Sequence, residues 1–221
     1  MRTDSSTNLA YQKIKSMIVS QELLPGYPLV ESTFVQMLGV SRTPIRNAIQ
    51  LLQKDGLVEV IANKGAFVKL ITQNEILWCF QYCEALEGMS AYLVTEKYNK
   101  GEITRDCLKT IEEHHYSTVR AVEKESLAEW KKCDYDFHAE FARLCGNPYI
   151  YTEHTRLRDR LLCVLWFIAP YYALKGSKEA SLQEHATIMD ALFEKKPSKA
   201  RYFAQNHRGR VCNELKKLFE G

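Results

Sequence analysis

The stretch GVSRTPIRNAIQLLQKDGLVEV, residues 39–60, constrains the fold more tightly than any other part of the chain. Ile45, Ala48, Ile49 and Leu52 follow i, i+3, i+4, i+7 spacing, which is one buried stripe of a helix. Thr43, Arg46, Asn47 and Gln50 fall on the opposite face, with Arg42 just before them. Ser41 or Thr43 can cap this helix, and Pro44 sits in its first turn, where a missing N–H costs little. Asp55-Gly56 ends it. Such a helix packs one side against its own domain and leaves a polar, cationic side wet.

The flanking segments complete a pattern. NLAYQKIKSMIVSQEL reads as a helix with Ala10, Ile14, Met17 and Ile18 on one face. LPGYP, with three breakers, reads as a loop, and ESTFVQML as a short helix stopped by Gly39. LVEVI and AFVKL read as strands around the turn ANKG, with Asn63 and Gly65 at the bend. Two short helices, a third with an arginine face, and a β-hairpin make a winged helix-turn-helix. Arginine on such a helix can bond bidentately to guanine O6 and N7 or clamp phosphates, and Asn47 and Gln50 could read adenine edges. The hairpin turn with Lys64 can approach the minor groove or the backbone. Residues 1–71 carry eight Lys and Arg against five Asp and Glu, whereas residues 72–221 carry 22 of each. All the net charge of +3 therefore lies in the first third, which points weakly to a polyanion partner.

Beyond Leu70 the strand pattern stops. Thr72-x-x-Glu75 reads as a capping box, and six helices are predicted at about 75–97, 104–123, 127–145, 149–168, 179–194 and 198–219. Ser126/Glu129 and Ser181/Glu184 read as further boxes opening the third and fifth of these, and Gly146-Asn147-Pro148, Pro170 and Pro197 punctuate. The expected fold is mainly α: a winged helix-turn-helix domain over 1–71, then an all-helical bundle of about six helices over 72–221. No apolar run approaches the roughly 20 residues of a membrane span, and the N-terminus lacks a signal-peptide core. Seven scattered cysteines without a C-x-x-C pair suit reduced thiols in a cytoplasmic protein.

A second constellation lies in SLAEWKKCDYDFHAEFARLCG. Trp130, Asp134, Phe137, His138, Phe141 and Cys145 line up at helical spacing, so Asp134 and His138 stand one turn apart on the apolar side. His185 sits in a stripe with Leu182, Ile188 and Leu192, and His207 in a row with Ala200, Ala204, Val211, Leu215 and Leu218. Three helices each aim Asp or His at a core. That set suits a divalent transition metal (Zn, Ni, Mn, Co or Fe, with Zn or Ni slightly favoured), although core histidines are more usually just hydrogen-bonded and the Asp–His pair can be a plain one. His115 occupies a similar stripe with Leu108, Ile111, Val119 and Val122, so stripe position alone does not select ligands.

LPGYPLVESTFVQMLGVSRTPIRNAIQLLQKDGLVEVIANKGAFV resembles the DNA-binding domain of GntR-type bacterial transcription regulators, over about residues 8–70. The resemblance implies operator contacts by Arg42, Thr43 and Arg46, assisted by the wing around Asn63, Lys64 and Gly65. Relatives commonly have Glu-Arg where this chain has Glu31-Ser32, so Ser32 is left as a phosphate contact. DYDFH, EHATIMDAL and ARYFAQNH match the FCD effector domain of the FadR branch of these regulators. That resemblance implies a metal held by Asp134, His138, His185 and His207, and no ligand role for His114, His115 or His154. Many relatives carry an arginine before the xxLE segment, where this chain has Cys83 in CEALE.

The expected function is sequence-specific regulation of transcription, without catalysis. A homodimer would bind a palindromic operator in double-stranded DNA, modulated by a small effector, a carboxylate by expectation, at or near the metal. Arg156, Arg158 and Arg160 are candidate counter-charges for such an acid, with a solvated helix face the expected reading for at least two of them. Two alternatives are a metallohydrolase fused to a DNA-binding module and an architectural DNA binder with an inert helical domain. The first lacks a separate general base with motif support.

Overall fold

The structure is a computed structural model and describes residues 5–163 and 176–220. The chain forms two compact units whose break falls between Thr72 and Gln73, with the described residues 159–163 also grouping with the first unit.

In the first unit, α1 (Ser5–Val19), α2 (Glu31–Leu38) and α3 (Arg42–Lys54) precede strands β1 (Val58–Ile61) and β2 (Gly65–Val68). The core joins Ile14 and Ile18 of α1, Phe34 of α2, and Ile45 and Leu52 of α3, all essentially inaccessible. This is the stripe that the spacing predicts. α1 ends before the sequence pattern does, because Gln21 takes a left-handed conformation at φ 64°. Gly39, at φ 64°, closes α2 by donating its N–H to the Val35 carbonyl. Ser41 occupies the N-cap of α3 but makes no side-chain capping bond. The hairpin is antiparallel, Val58 facing Val68 and Ile61 facing Gly65, and its turn uses positive φ at Asn63 and Gly65. The expected LPGYP loop is not free. Leu29 donates to the Ala66 carbonyl at 2.8 Å and Val68 to the Tyr27 carbonyl at 2.9 Å, so Pro28 bridges to Phe67 beside the wing.

In the second unit every described element is helical: α4 (Gln73–Lys100), a 3-10 turn (Arg105–Leu108), α5 (Lys109–Glu123), α6 (Leu127–Leu144), α7 (Pro148–Cys163), α8 (Ser177–Phe193) and α9 (Pro197–Glu220). The helix expected over 149–168 is α7, and its last predicted residues lie outside the described residues, as does Pro170. Ser126 does cap α6, accepting the Glu129 N–H at 3.4 Å. Ser181 does not cap α8. That helix starts a turn earlier, after Gly176 at φ 84°, and Ser181 lies buried inside it, accepting a hydrogen bond from Arg210. The core gathers Val94, Ile111, Phe137, Ile188, Leu192 and Ala200 from the surrounding helices.

α4 and α9 pack tightly at Gly88, where an added Cβ would overlap Cγ of Gln205. Gly88→Val is expected to lower stability by about 1–3 kcal/mol through overpacking, and Gln205→Ala in the same chain to recover most of it. Thermal unfolding of the single and double variants measures this.

Candidate functional site

The first unit presents a polar face. Pro44, Ile45, Ala48 and Ile49 are buried, while Arg42, Thr43, Arg46, Asn47 and Gln50 are exposed, as are Ser32 on α2 and Asn63, Lys64 and Gly65 at the wing tip. A groove of about 520 Å³ runs between α3 and the hairpin, lined by Glu31, Arg46, Gln50, Lys64 and Gly65 among others. Arg46 does not stand free in it. Its Nε donates to Glu31 Oε1 at 3.0 Å and its Nη2 to Oε2 at 3.1 Å. Glu31 takes the side edge of the guanidinium and lies below the usual carboxylate range because of this bond. The sequence reading singled out Ser32 and passed over its neighbour Glu31.

In the second unit α6 contributes Asp134 and His138, α8 His185 and α9 His207, with potential ligand atoms all within 4.8 Å of one another. The three imidazoles are buried, and Asp134 is half-buried. His185 Nε2 lies 3.1 Å from His138 Nε2 and 3.5 Å from Asp134 Oδ1. His115 stays outside this group, its ring centroid 6.2 Å from that of His185.

The hydrogen bonds around the cluster assign its protons. His138 Nδ1 is 3.0 Å from Glu87 Oε2, and His207 Nδ1 is 2.7 Å from Glu184 Oε2. A carboxylate accepts, so both rings carry their proton on Nδ1 and turn an Nε2 lone pair inward. His185 Nε2–H can donate to His138 Nε2. His207 Nε2 is buried with no protein partner among the described residues. Two inward lone pairs, one of them orphaned, and one carboxylate form a donor set that fits a cation. Carboxylate–histidine pairs of this kind fix ring orientation and raise ligand basicity.

The carboxylates are themselves anchored by α9. Arg208 Nε donates to Glu87 Oε2 at 2.6 Å, and Arg210 donates to Glu184 from Nε at 2.6 Å and Nη2 at 2.8 Å. His154 of α7 places Nε2 3.2 Å from Glu87 Oε1. Burial alone would raise Glu87, but Arg208 and His138 hold it well below the usual carboxylate range. Burial, reinforced by the Arg208 charge, pushes His138 down to about 4, and burial lowers His185 and His207 as well. Burial raises Asp134, which the neighbouring His138 and Arg208 only partly offset. Cys83 is a buried thiol pushed upward by burial.

Sequence reasoning missed Glu87, Glu184, Arg208 and Arg210. Glu87 left a signal. It falls in the stripe Ile76, Phe80, Cys83, Glu87, Ala91, Val94, all buried, where an unpaired carboxylate is costly.

Comparison with known proteins identifies both units. Residues 7–68 match the family described as bacterial regulatory proteins, gntR family, and residues 79–210 match the FCD domain. The chain belongs to the GntR family of DNA-binding transcriptional regulators, in its FCD-domain branch. It is similar to the HTH-type transcriptional regulator YdhC of Bacillus subtilis, at 24% identity over 95% of this chain and 91% of that one. It is also similar to the transcriptional repressor NanR of Cronobacter sakazakii, at 23% identity over 91% of this chain and 82% of that one. The fold matches a GntR regulator of Rhodococcus sp. RHA1, with TM-score 0.76 and 20% identity over 97% and 99% of the two chains. Escherichia coli McbR/YncC gives TM-score 0.76 and 20% identity over 98% and 99%. The matched family and both of these curated relatives are described as transcriptional regulators, which sets the metallohydrolase alternative aside. No described helix is long and apolar enough to cross a membrane.

The buried histidines set a pH dependence. Below 6.5 the unfolded chain protonates its histidines while His138 stays neutral to about 4, so the unfolded state binds more protons and stability falls as pH falls. This one residue costs on the order of 3 kcal/mol once pH is below both values. Glu87, depressed in the fold, adds to the loss once pH drops below the ordinary carboxylate value, whereas Asp134, raised, opposes it. The melting temperature of metal-free protein is therefore expected to fall steadily from pH 7 to pH 4, measured by calorimetry in chelator-treated buffer.

Proposed function

We propose that this regulator is a homodimer that binds a palindromic operator and that its helical domain holds a divalent transition metal at Asp134, His138, His185 and His207. Residues 1–71 act as the reading head and 72–221 as the sensing and dimerising domain of a cytoplasmic protein. The observation that carries the metal reading is the inward convergence of imidazole nitrogens, with the outer nitrogens of His138 and His207 tied to carboxylates. One carboxylate and three imidazoles suit Zn, Ni, Mn, Co or Fe, and such an ion supplies a positive charge with positions open to a small acid.

α7 supports a carboxylate effector. Arg156 pairs with Glu153, and Arg160 belongs to the part of α7 that groups with the first unit. Arg158 lies one turn beyond His154, its guanidinium 3.8 Å over the Tyr135 ring, with a buried Nε that has no hydrogen-bond partner among the described residues. His154 Nδ1 is likewise buried and unpartnered. A cation and an acceptor on one face of α7 suit an acid that also carries a hydroxyl. Such an acid regulates only by favouring one arrangement of the dimer's reading heads over another.

On the reading head, Arg42, Thr43, Arg46, Asn47 and Gln50 face bases and phosphates, with Ser32 and the Asn63–Gly65 turn on the backbone. Arg46→Ala is expected to abolish specific binding while leaving the fold and dimer intact. Selection of duplexes from a random pool by the wild-type protein, followed by gel-shift assay of both proteins, tests this, and equal affinities would remove Arg46 from the reading face.

Elemental analysis of untagged protein purified without added metal tests the centre. About one transition metal per chain is expected, falling well below one in His185→Ala, and a chelator should lower the melting temperature. A wild-type protein without metal, and taking up none from Zn, Ni or Mn, would return the three histidines to the core.

A further inference from the structure

We infer that Glu87 is a positioning residue for the metal centre: its carboxylate holds the proton of His138 on Nδ1 and so keeps the Nε2 lone pair facing Asp134, His185 and His207. This rests on the metal reading above and names a residue outside its ligand set.

Glu87 is 3% exposed, and donors from three other helices reach its two oxygens. Oε2 accepts from Arg208 Nε at 2.6 Å and from His138 Nδ1 at 3.0 Å, and Oε1 faces His154 Nε2 at 3.2 Å. A purely structural ion pair between α4 and α9 would need Arg208 alone. The contact with His138 does something different. Imidazole has two tautomers, and a proton on Nε2 would block that ligand position. A buried, ionised carboxylate at Nδ1 favours the tautomer that leaves Nε2 free, and it strengthens Nε2 as a donor. Arg208 keeps the carboxylate ionised, since an isolated buried carboxyl would take up a proton and lose its acceptor role. The partner on α8 follows a parallel logic: Glu184 fixes His207, and Arg210 anchors Glu184. For His185 no such outer carboxylate exists among the described residues, and its Nδ1 is buried without a hydrogen-bond partner. His138 is thus the imidazole whose orientation depends on Glu87.

The test uses the full chain and Zn²⁺ as probe. Glu87→Leu combined with Arg208→Leu removes both charges together, so no uncompensated ion is buried. Removing the Arg208 cation by itself favours a bound cation, so a fall in affinity reports Glu87. Chelator competition should show Zn²⁺ bound 10–100-fold more weakly with stoichiometry unchanged. Imidazole ¹⁵N NMR of the metal-free proteins should show His138 protonated on Nδ1 in the wild type and no longer fixed there in the double variant. Glu87→Gln keeps an acceptor but not the charge, so it should retain the tautomer with an intermediate loss of affinity. It carries the test if the double variant does not fold. A wild type that binds Zn²⁺, with variants that match it within about twofold and share its tautomer, overturns this inference alone. A wild type that takes up no Zn²⁺ overturns the metal reading and this inference with it.

Discussion

One buried carboxylate organises the helical unit. Glu87 is buried away from bulk solvent, so its charge must be met by protein donors, and these come from α6, α7 and α9. Four helices are thereby held to one point with a directional tolerance that apolar packing lacks. A buried ion pair is not an efficient source of stability, since well-packed apolar residues of similar volume often do as well or better. What Glu87 and Arg208 add is a defined orientation of the imidazole beside them. α4 is also the segment that joins the helical unit in sequence to the reading unit.

The charges around the cluster fall into a pattern. Glu87 and Glu184 are matched by Arg208 and Arg210, both supplied by the stretch His207-Arg208-Gly209-Arg210 of α9. Asp134 is the remaining carboxylate of the cluster, and burial resists its ionisation. A cation placed among the three imidazoles would reverse that, because a positive neighbour favours the charged carboxylate. The same short piece of α9 therefore supplies a candidate ligand and both counter-ions of the outer carboxylates. A substitution there alters ligand geometry and charge balance together.

The reading head was largely legible in the sequence, because its features are local. The stripe Ile45, Ala48, Ile49, Leu52 dictates which side of α3 is buried, and Asn63 and Gly65 are residues that accept positive φ in a turn. The four clustered side chains were legible only through the resemblance, since periodicity placed His115 in an equivalent stripe. The outer carboxylates went unread for two reasons. Ser181 and Glu184 imitate a capping box, a pattern that short-range spacing cannot distinguish from two residues facing another helix. Glu87 required the rule applied to Asp134, that a carboxylate in an apolar stripe demands a partner, to be carried to a second helix. The partner, Arg208, lies 121 positions away and is invisible to any window.

The Glu31–Arg46 pair has a consequence for how this protein responds to salt. A lone guanidinium that docks on a phosphate displaces condensed cations from the duplex, and affinity then falls steeply as ionic strength rises. If Arg46 docks on the duplex as proposed, it would do so already matched to a carboxylate and would displace fewer of them. Its fork would also be aligned beforehand by Glu31, leaving less side-chain disorder to be lost on docking. On that proposal, the contribution of Arg46 would depend on base identity more than on polyanion charge, and its hold on unrelated duplex would be weaker than that of an unpaired arginine.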